Sequence, residues 1–242
     1  VFSEQGIRWS WLEFKRQVED LAAGLLAIGL KAGDRVGIWS PNRSEWVVTQ
    51  FATAQIGIVL VNINPAYRVA ELEYALNKVR IKALILAEKF KTSDYVDMVR
   101  SLAPELENSE PGRLYSQRLP HLRWVIQTGK NHLPGMQNFS DLLKYGGPAQ
   151  KARLGEIARS LQPDDAINVQ FTSGTTGSPK GATLSHHNII NNAWCVAQAM
   201  KLTHQDRLCV PVPLYHCFGM VLSVLACVSV GASMVFPGEA FE

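Results

Sequence analysis

Ile167-Asn168-Val169-Gln170-Phe171-Thr172-Ser173-Gly174-Thr175-Thr176-Gly177-Ser178-Pro179-Lys180-Gly181-Ala182-Thr183-Leu184-Ser185 is the stretch on which the reading of the fold turns. Its first five residues alternate apolar and polar, as in a strand, and Ala182 to Ser185 reads as a second strand. Between them, three glycines, a run of hydroxyls and Lys180 crowd into ten residues. Glycine lets the backbone turn so that several N–H groups converge on one point, and hydroxyls add donors. Lys180 supplies a mobile point charge, so the segment predicts a cradle for a polyphosphate. A Walker A loop would need a second glycine where Pro179 stands and a magnesium-binding hydroxyl where Gly181 stands. It would also open directly into a helix, whereas here a helix begins only around His187, with Ser185 as its natural N-cap. A flexible Gly/Ser linker would need neither the Pro-Lys-Gly end nor flanking strands.

Working toward the N-terminus, helical and strand patterns alternate. Ser10-Trp11-Leu12-Glu13 predicts a capping box opening a helix, with apolar residues from Phe14 to Leu26 at helical spacing and Gly29 closing it. Strands are predicted at 35–39, 58–63, 83–86 and 124–126, and helices at 44–54, 70–79, 92–102 and 151–161. Strands that are apolar throughout, separated by helices, predict an α/β fold with mostly parallel sheets covered by helices. Residues 103–120 and 127–138 read as loops, and Gly146-Gly147-Pro148 as a break. A boundary near Pro163 divides the chain into a first portion, 1–162, and a loop-bearing portion, 163–242. Trp9, Trp11, Trp39 and Trp46 read as packing residues.

The composition is that of a globular protein: 242 residues, 47% hydrophobic and 19% charged, net charge +3. Lys and Arg are scattered rather than clustered, which argues against a nucleic-acid partner. Cys195, Cys209, Cys217 and Cys227 form no CxxC pair, and their apolar company predicts reduced, buried thiols. Cys217 to Phe236 holds no charged residue, a length that could span a bilayer. Gly231 splits it, so the reading is a buried helix followed by a buried strand and no transmembrane segment. Neither an initiator Met nor a targeting peptide opens the chain. Both ends read as cuts through a longer protein.

Thr172 to Gly181 resembles the signature loop of the adenylate-forming superfamily: acyl-CoA synthetases, peptide-synthetase adenylation domains and firefly-type luciferases. Asn62 to Tyr67 with Glu71 to Tyr74, Phe171 to Asn192 and Pro213 to Gly219 extend the resemblance across the chain. Residues 111–120, Leu184 to Asn188 and the Asn64-Pro65-Ala66-Tyr67 stretch are most similar to the mitochondrial medium-chain acyl-CoA synthetases. The resemblance implies the truncated large N-terminal domain of that fold. It also implies a ligase that joins a fatty acid to coenzyme A at the expense of ATP, releasing AMP and pyrophosphate, with Mg²⁺ assisting. By resemblance, Thr172 to Lys180 grip the phosphates, Lys180 and His216 are catalytic, and Thr175 or Thr176 helps to hold Mg²⁺.

His216, read alone, is a core histidine; the resemblance places it beside the acyl carboxylate and adenylate. Phe218, Gly219 and Met220 then line the acyl channel, with ordinary core packing the competing reading for Phe218 and Met220. His186 and His187 read as structural, and Asn191 and Asn192 as facing solvent or capping locally. The implied partners are small molecules, namely fatty acid, ATP and coenzyme A, and the implied location is the mitochondrial matrix. The family's Tyr-Gly-x-Thr-Glu and Thr-Gly-Asp motifs do not occur. Nor does its C-terminal domain with the catalytic lysine, so the isolated chain is expected to show little or no ligase activity. Unpaired strand edges are expected to lower its stability and favour association. A non-catalytic nucleotide-binding role and a luciferase or peptide-synthetase type of adenylation are the competing readings.

Overall fold

The computed structural model describes residues 1–172 and 179–240. In chain order, helix α1 (Trp11–Ala27) leads to strand β1 (Arg35–Trp39), α2 (Ser44–Gln55), β2 (Val59–Asn62), α3 (Val69–Lys78) and β3 (Ala83–Leu86). A small hairpin, β4 (Lys89–Phe90) and β5 (Ser93–Asp94), precedes α4 (Tyr95–Leu102) and the 3-10 turn Pro104–Asn108. Then come β6 (Trp124–Gln127), β7 (Met136–Asn138), α5 (Phe139–Leu142) and α6 (Pro148–Ser160). The loop-bearing part follows as β8 (Ala166–Thr172), β9 (Lys180–Ser185), α7 (His186–Ala199) and β10 (Arg207–Cys209). A helical run of α8 (Cys217–Gly219), a π-helical turn (Met220–Leu225) and α9 (Ala226–Val230) ends before β11 (Ser233–Val235).

Seven strands form one sheet in the order β7-β6-β3-β1-β2-β8-β9, parallel except for the antiparallel β8–β9 pair. Alternating side chains feed two separate cores, as the two-residue period of a strand requires. Val36, Ile38, Leu60, Ala83, Ile85 and Ile126 point to one face, against α1, α2, α6, α7 and the π turn. Trp39, Val61, Leu84, Leu86 and Val125 point to the other, against α3, α4 and the 3-10 turn. This is why the central strands read as continuous apolar runs: both faces are covered.

The expected caps are present. Ser10 and Glu13 close their reciprocal box, Gly29 takes φ 83° just beyond α1, and Ser185 accepts from the Asn188 N–H at the start of α7. Gly231, at φ 76°, ends α9 and frees the chain to enter β11, so 217–236 is a helical run and a strand. No helix among the described residues is long and apolar enough to cross a membrane.

Four local readings are corrected. Residues 127–138 are not all loop, because Met136–Asn138 pairs in parallel with β6. The helix expected from 92 starts at Tyr95, where the Asp94 carboxylate accepts from the Asp97 N–H after the β4–β5 hairpin. The break at 146–148 is shorter than expected, since Pro148 takes the first position of α6, where its missing N–H costs nothing. Cys195, Cys209 and Cys217 are exposed, and only Cys227 is buried. For Cys195 the cause is helical phase: Ala193 and Ala197 carry the buried side of α7, and Cys195 falls between them on the outer face.

Candidate active site

The phosphate-loop candidate sits at one end of the β8–β9 hairpin. Thr172 and Lys180 are opposite each other in that antiparallel pair, so the loop leaves and returns at one point. Both are exposed, and the Thr172 hydroxyl donates to the Lys180 carbonyl at 3.4 Å. Ser173, Gly174, Thr175, Thr176, Gly177 and Ser178 lie outside the described residues. Gly181 faces Phe171 across the pair, and a Cβ there would press to 3.1 Å from the Val169 side chain.

Three tyrosines from separate segments meet beside the returning arm. The Tyr74 hydroxyl, on α3, donates to the Pro179 carbonyl at 3.1 Å. Tyr67 is half-buried, and its pKa is raised by burial first, then by the negative ends of Glu71, Tyr215 and Tyr74. The turn carrying Tyr67 is itself pinned from the core. Tyr95, stacked on Trp39 with centroids 3.7 Å apart, donates its hydroxyl to the Pro65 carbonyl at 2.6 Å. The Trp39 indole N–H donates to the Asn64 carbonyl at 3.1 Å. Tyr74 thus reaches the returning arm across 105 positions, and Tyr67 is near enough to Tyr215 for the two to interact electrostatically.

His216 caps the short helix that follows it. Its Nδ1 accepts from the Phe218 N–H at 3.2 Å, which leaves the proton of the neutral ring on Nε2; the Cys217 sulfur lies 3.7 Å from the same Nδ1. The imidazole is exposed, as is Phe218, at 52%. Gly219 is buried with so little room that a Cβ would lie 2.4 Å from the Pro213 carbonyl oxygen. Asn42 fixes this approach, accepting from the Leu214 N–H at 2.8 Å and donating to the Val212 carbonyl at 2.9 Å.

Met220 is fully buried against the sheet, and its sulfur accepts from the Asn62 amide at 3.4 Å and the Gln170 amide at 3.8 Å. His216 and Phe218 thus lie on the open side of the helical run and Met220 on its core side. The π turn that begins at Met220 is followed by a Ser223 hydroxyl bond to the Phe218 carbonyl at 2.9 Å.

His187 is exposed, and His186 is partly buried beneath the start of α7. Burial lowers the His186 pKa, against a smaller opposing pull from Asp165. Asn191 and Asn192 are exposed. The residues that sequence reasoning missed are Asn42, Tyr74, Tyr215 and the polar strand positions Asn62, Asn168 and Gln170. The last two alternate along β8 beside Asn62, a polar row next to the apolar strands β1 and β3, and that was the available signal. Among the described residues, no three His, Cys, Asp or Glu side chains gather where they could hold a metal ion. Thr175 and Thr176 are outside those residues, so no step is routed through Mg²⁺.

A mostly parallel sheet covered by helices on both faces defines the class of the protein as an α/β domain. The AMP-binding enzyme family matches residues 1–242, and the chain belongs to that family. The mitochondrial medium-chain acyl-CoA ligase ACSF2 of Danio rerio is 48% identical over 244 residues, covering 100% of this chain and 40% of that protein. The chain therefore spans about two-fifths of the length of this curated relative. Two solved structures share the fold. One is the anthranilate CoA ligase AuaEII in complex with anthranoyl-AMP (TM-score 0.77, 22% identity, 98% of this chain and 41% of that one). The other is ATP-bound MatB from Rhodopseudomonas palustris (TM-score 0.75, 24% identity, 98% of this chain and 41% of that one).

Proposed function

We propose that this chain carries the phosphate-gripping and acid-orienting part of an AMP-forming fatty acid–CoA ligase. The observation that carries the reading is the neck of the β8–β9 hairpin. Thr172 and Lys180 are paired there, the Pro179 carbonyl is held by Tyr74, and the segment that resembles the superfamily's signature loop joins them in sequence. In the reaction, an oxygen of the fatty-acid carboxylate attacks the α-phosphorus of ATP. The bond to the bridging oxygen breaks, and pyrophosphate departs with its electrons. The thiol of coenzyme A then attacks the acyl carbonyl carbon, loses its proton and displaces AMP.

Negative charge gathers on the departing pyrophosphate, and fixed donors facing it lower the barrier most. Lys180 and the loop from Thr172, through Ser173, Gly174, Thr175, Thr176, Gly177 and Ser178, to Pro179 take that role. When bound, Mg²⁺ supplies additional neutralisation of the phosphates, with Thr175 or Thr176 as its ligands in this reading. His216, whose Nδ1 already accepts from the Phe218 N–H, presents its protonated Nε2 as a donor to the acyl carboxylate. Phe218 borders the acyl chain from the open side, and the buried Gly219 and Met220 back it from the core. The name of the Danio rerio relative supports medium-chain acids and a mitochondrial location. Residues 1–162 and 163–242 are two portions of one large N-terminal domain in this reading. In this reading the 242-residue chain has little or no ligase activity by itself, because its sequence holds no Tyr-Gly-x-Thr-Glu.

The test is acid-dependent ATP–pyrophosphate exchange across a series of fatty acids, on the 242-residue chain and on the longest natural protein that contains it. In the longer protein, exchange is expected to peak with one chain length. Lys180→Ala is expected to lower it by about 100-fold, the scale of losing one charge-stabilising donor, with an unchanged melting temperature. Nucleotide binding without exchange for any acid would replace the ligase reading with a non-catalytic one. Robust acyl-CoA production by the 242-residue chain would overturn its inactivity.

A further inference from the structure

Behind Met220, on the face of the helical run away from His216 and Phe218, lies a cavity of about 270 Å³ between α2, β2, β8, α7 and the π turn. Most of its wall is apolar, from residues such as Phe51, Leu60, Ile189 and Leu225. No Asp, Glu, Lys or Arg lines it. Three polar side chains do, and each has atoms without a hydrogen-bond partner among the described residues. Gln50 is 7% exposed, and neither its amide nitrogen nor its amide oxygen is paired. Asn168 is 2% exposed; its nitrogen donates to the Leu60 carbonyl and to Asn62 Oδ1, which leaves Oδ1 unpaired. His186 Nε2 is the fourth such atom. Buried polar groups are nearly always paired, so four around one cavity point to something that pairs them.

A groove borders the cavity. A surface groove between α1, α2, the end of α6 and the start of α7 shares Phe51, Ala54 and His186 with it. Its mouth carries Lys15, Glu19 and Gln162, far along the chain from the phosphate loop.

We propose that this cavity is a second small-molecule site, taking an uncharged amphiphile whose apolar body fills it and whose neutral head group both donates and accepts hydrogen bonds, as a primary amide or an alcohol does. The site shares Met220 with the proposed acyl wall but lies on its other side, and it does not depend on the adenylation chemistry. Size supports the class: a cavity of about 150 Å³ holds benzene, and at roughly 30 Å³ per water-sized group this one holds about nine. The absence of Asp, Glu, Lys and Arg from its lining favours a neutral head over a carboxylate, because a buried charge there would lack an ionic partner. Gln50 can serve as donor and acceptor at once, whereas Asn168 Oδ1 requires a donor.

Heptanamide and N,N-dimethylheptanamide share an apolar body, and only the first can donate. Titration calorimetry on the 242-residue chain is expected to show one saturable site for heptanamide and binding about tenfold weaker for the dimethyl compound, the scale of one lost hydrogen bond. Gln50→Leu, which exchanges unpaired amide atoms for carbon, is expected to keep the fold and shrink that tenfold gap. Ala54→Leu, which adds bulk to the lining of the cavity, is expected to remove binding, with folding of both variants checked by circular dichroism melts. The proposal is overturned if the chain binds neither amide saturably, or if both variants fold and bind heptanamide as the parent does. It is also overturned if a crystal soaked in heptanamide shows only ordered water against Gln50 and Asn168.

Discussion

The sheet has two unlike sides. From β7 to β2 its strands are buried on both faces, in two cores separated by the sheet itself. At the other side β9 is exposed for most of its length, and α7 after it buries only Ala193 and Ala197 while Ile190, Trp194 and the following Met200 stand nearly half exposed. Burial of apolar area is the main source of stability, so the first region holds the fold. The second holds the candidate chemistry, where a phosphate loop must meet solvent-borne ligands and cannot be sealed in a core. The contrast teaches where a substitution will be felt as unfolding and where as lost function.

Leu84→Ala should break the comparison most strongly. Leu84 is fully buried in the center of the sheet, and truncation is expected to cost about 2–5 kcal/mol in urea melts. Ile190→Ala, on α7, is expected to stay within about 0.5 kcal/mol; equal losses at the two sites would mean that the regions do not differ in stability. Next in size, Ser185→Ala removes the hydroxyl that accepts from the Asn188 N–H at 3.2 Å and should cost about 1 kcal/mol. If α7 opens as a local unit, the loss will appear in hydrogen exchange of 186–199 before it appears in the global melt.

The smallest effect is a pH slope from His186. Its folded pKa is lowered below 6.5 by burial, so below pH 6.5 the unfolded chain binds a proton that the folded one resists. Stability is therefore expected to fall as pH drops from 6.5 toward the folded pKa, and to fall no further from this cause below it. His186→Gln should flatten that slope in melts between pH 7.5 and 5, and an unchanged slope would place the titration elsewhere.

The buried side of this comparison was the legible one. Val36, Ile38, Leu84 and Ile85 announce doubly covered strands because every position is apolar, and Ser10 with Glu13 announces a helix start through a local bond. Met136-Gln137-Asn138 gave no such signal: three residues, two of them polar, become a strand only because β6 offers an edge. The strands flanking the loop at 172–181 were legible from their alternation, and so was the interruption at Gly231. The supports around that loop were not, because Tyr74 reaches Pro179 across 105 positions and Asn42 reaches Leu214 across 172. Contacts at such separations depend on the order of strands in the sheet, which no local pattern carries.

The π turn at Met220–Leu225 has an evolutionary consequence. A π turn takes up one more residue than the α-helical turn it replaces. A single-codon deletion there would let the run close as plain α-helix and swing His216 and Phe218 around the axis relative to Cys227 and Val228. Met220 would swing with them, so the burial of its side chain against the sheet is what opposes that one small genetic step and holds the candidate face in register.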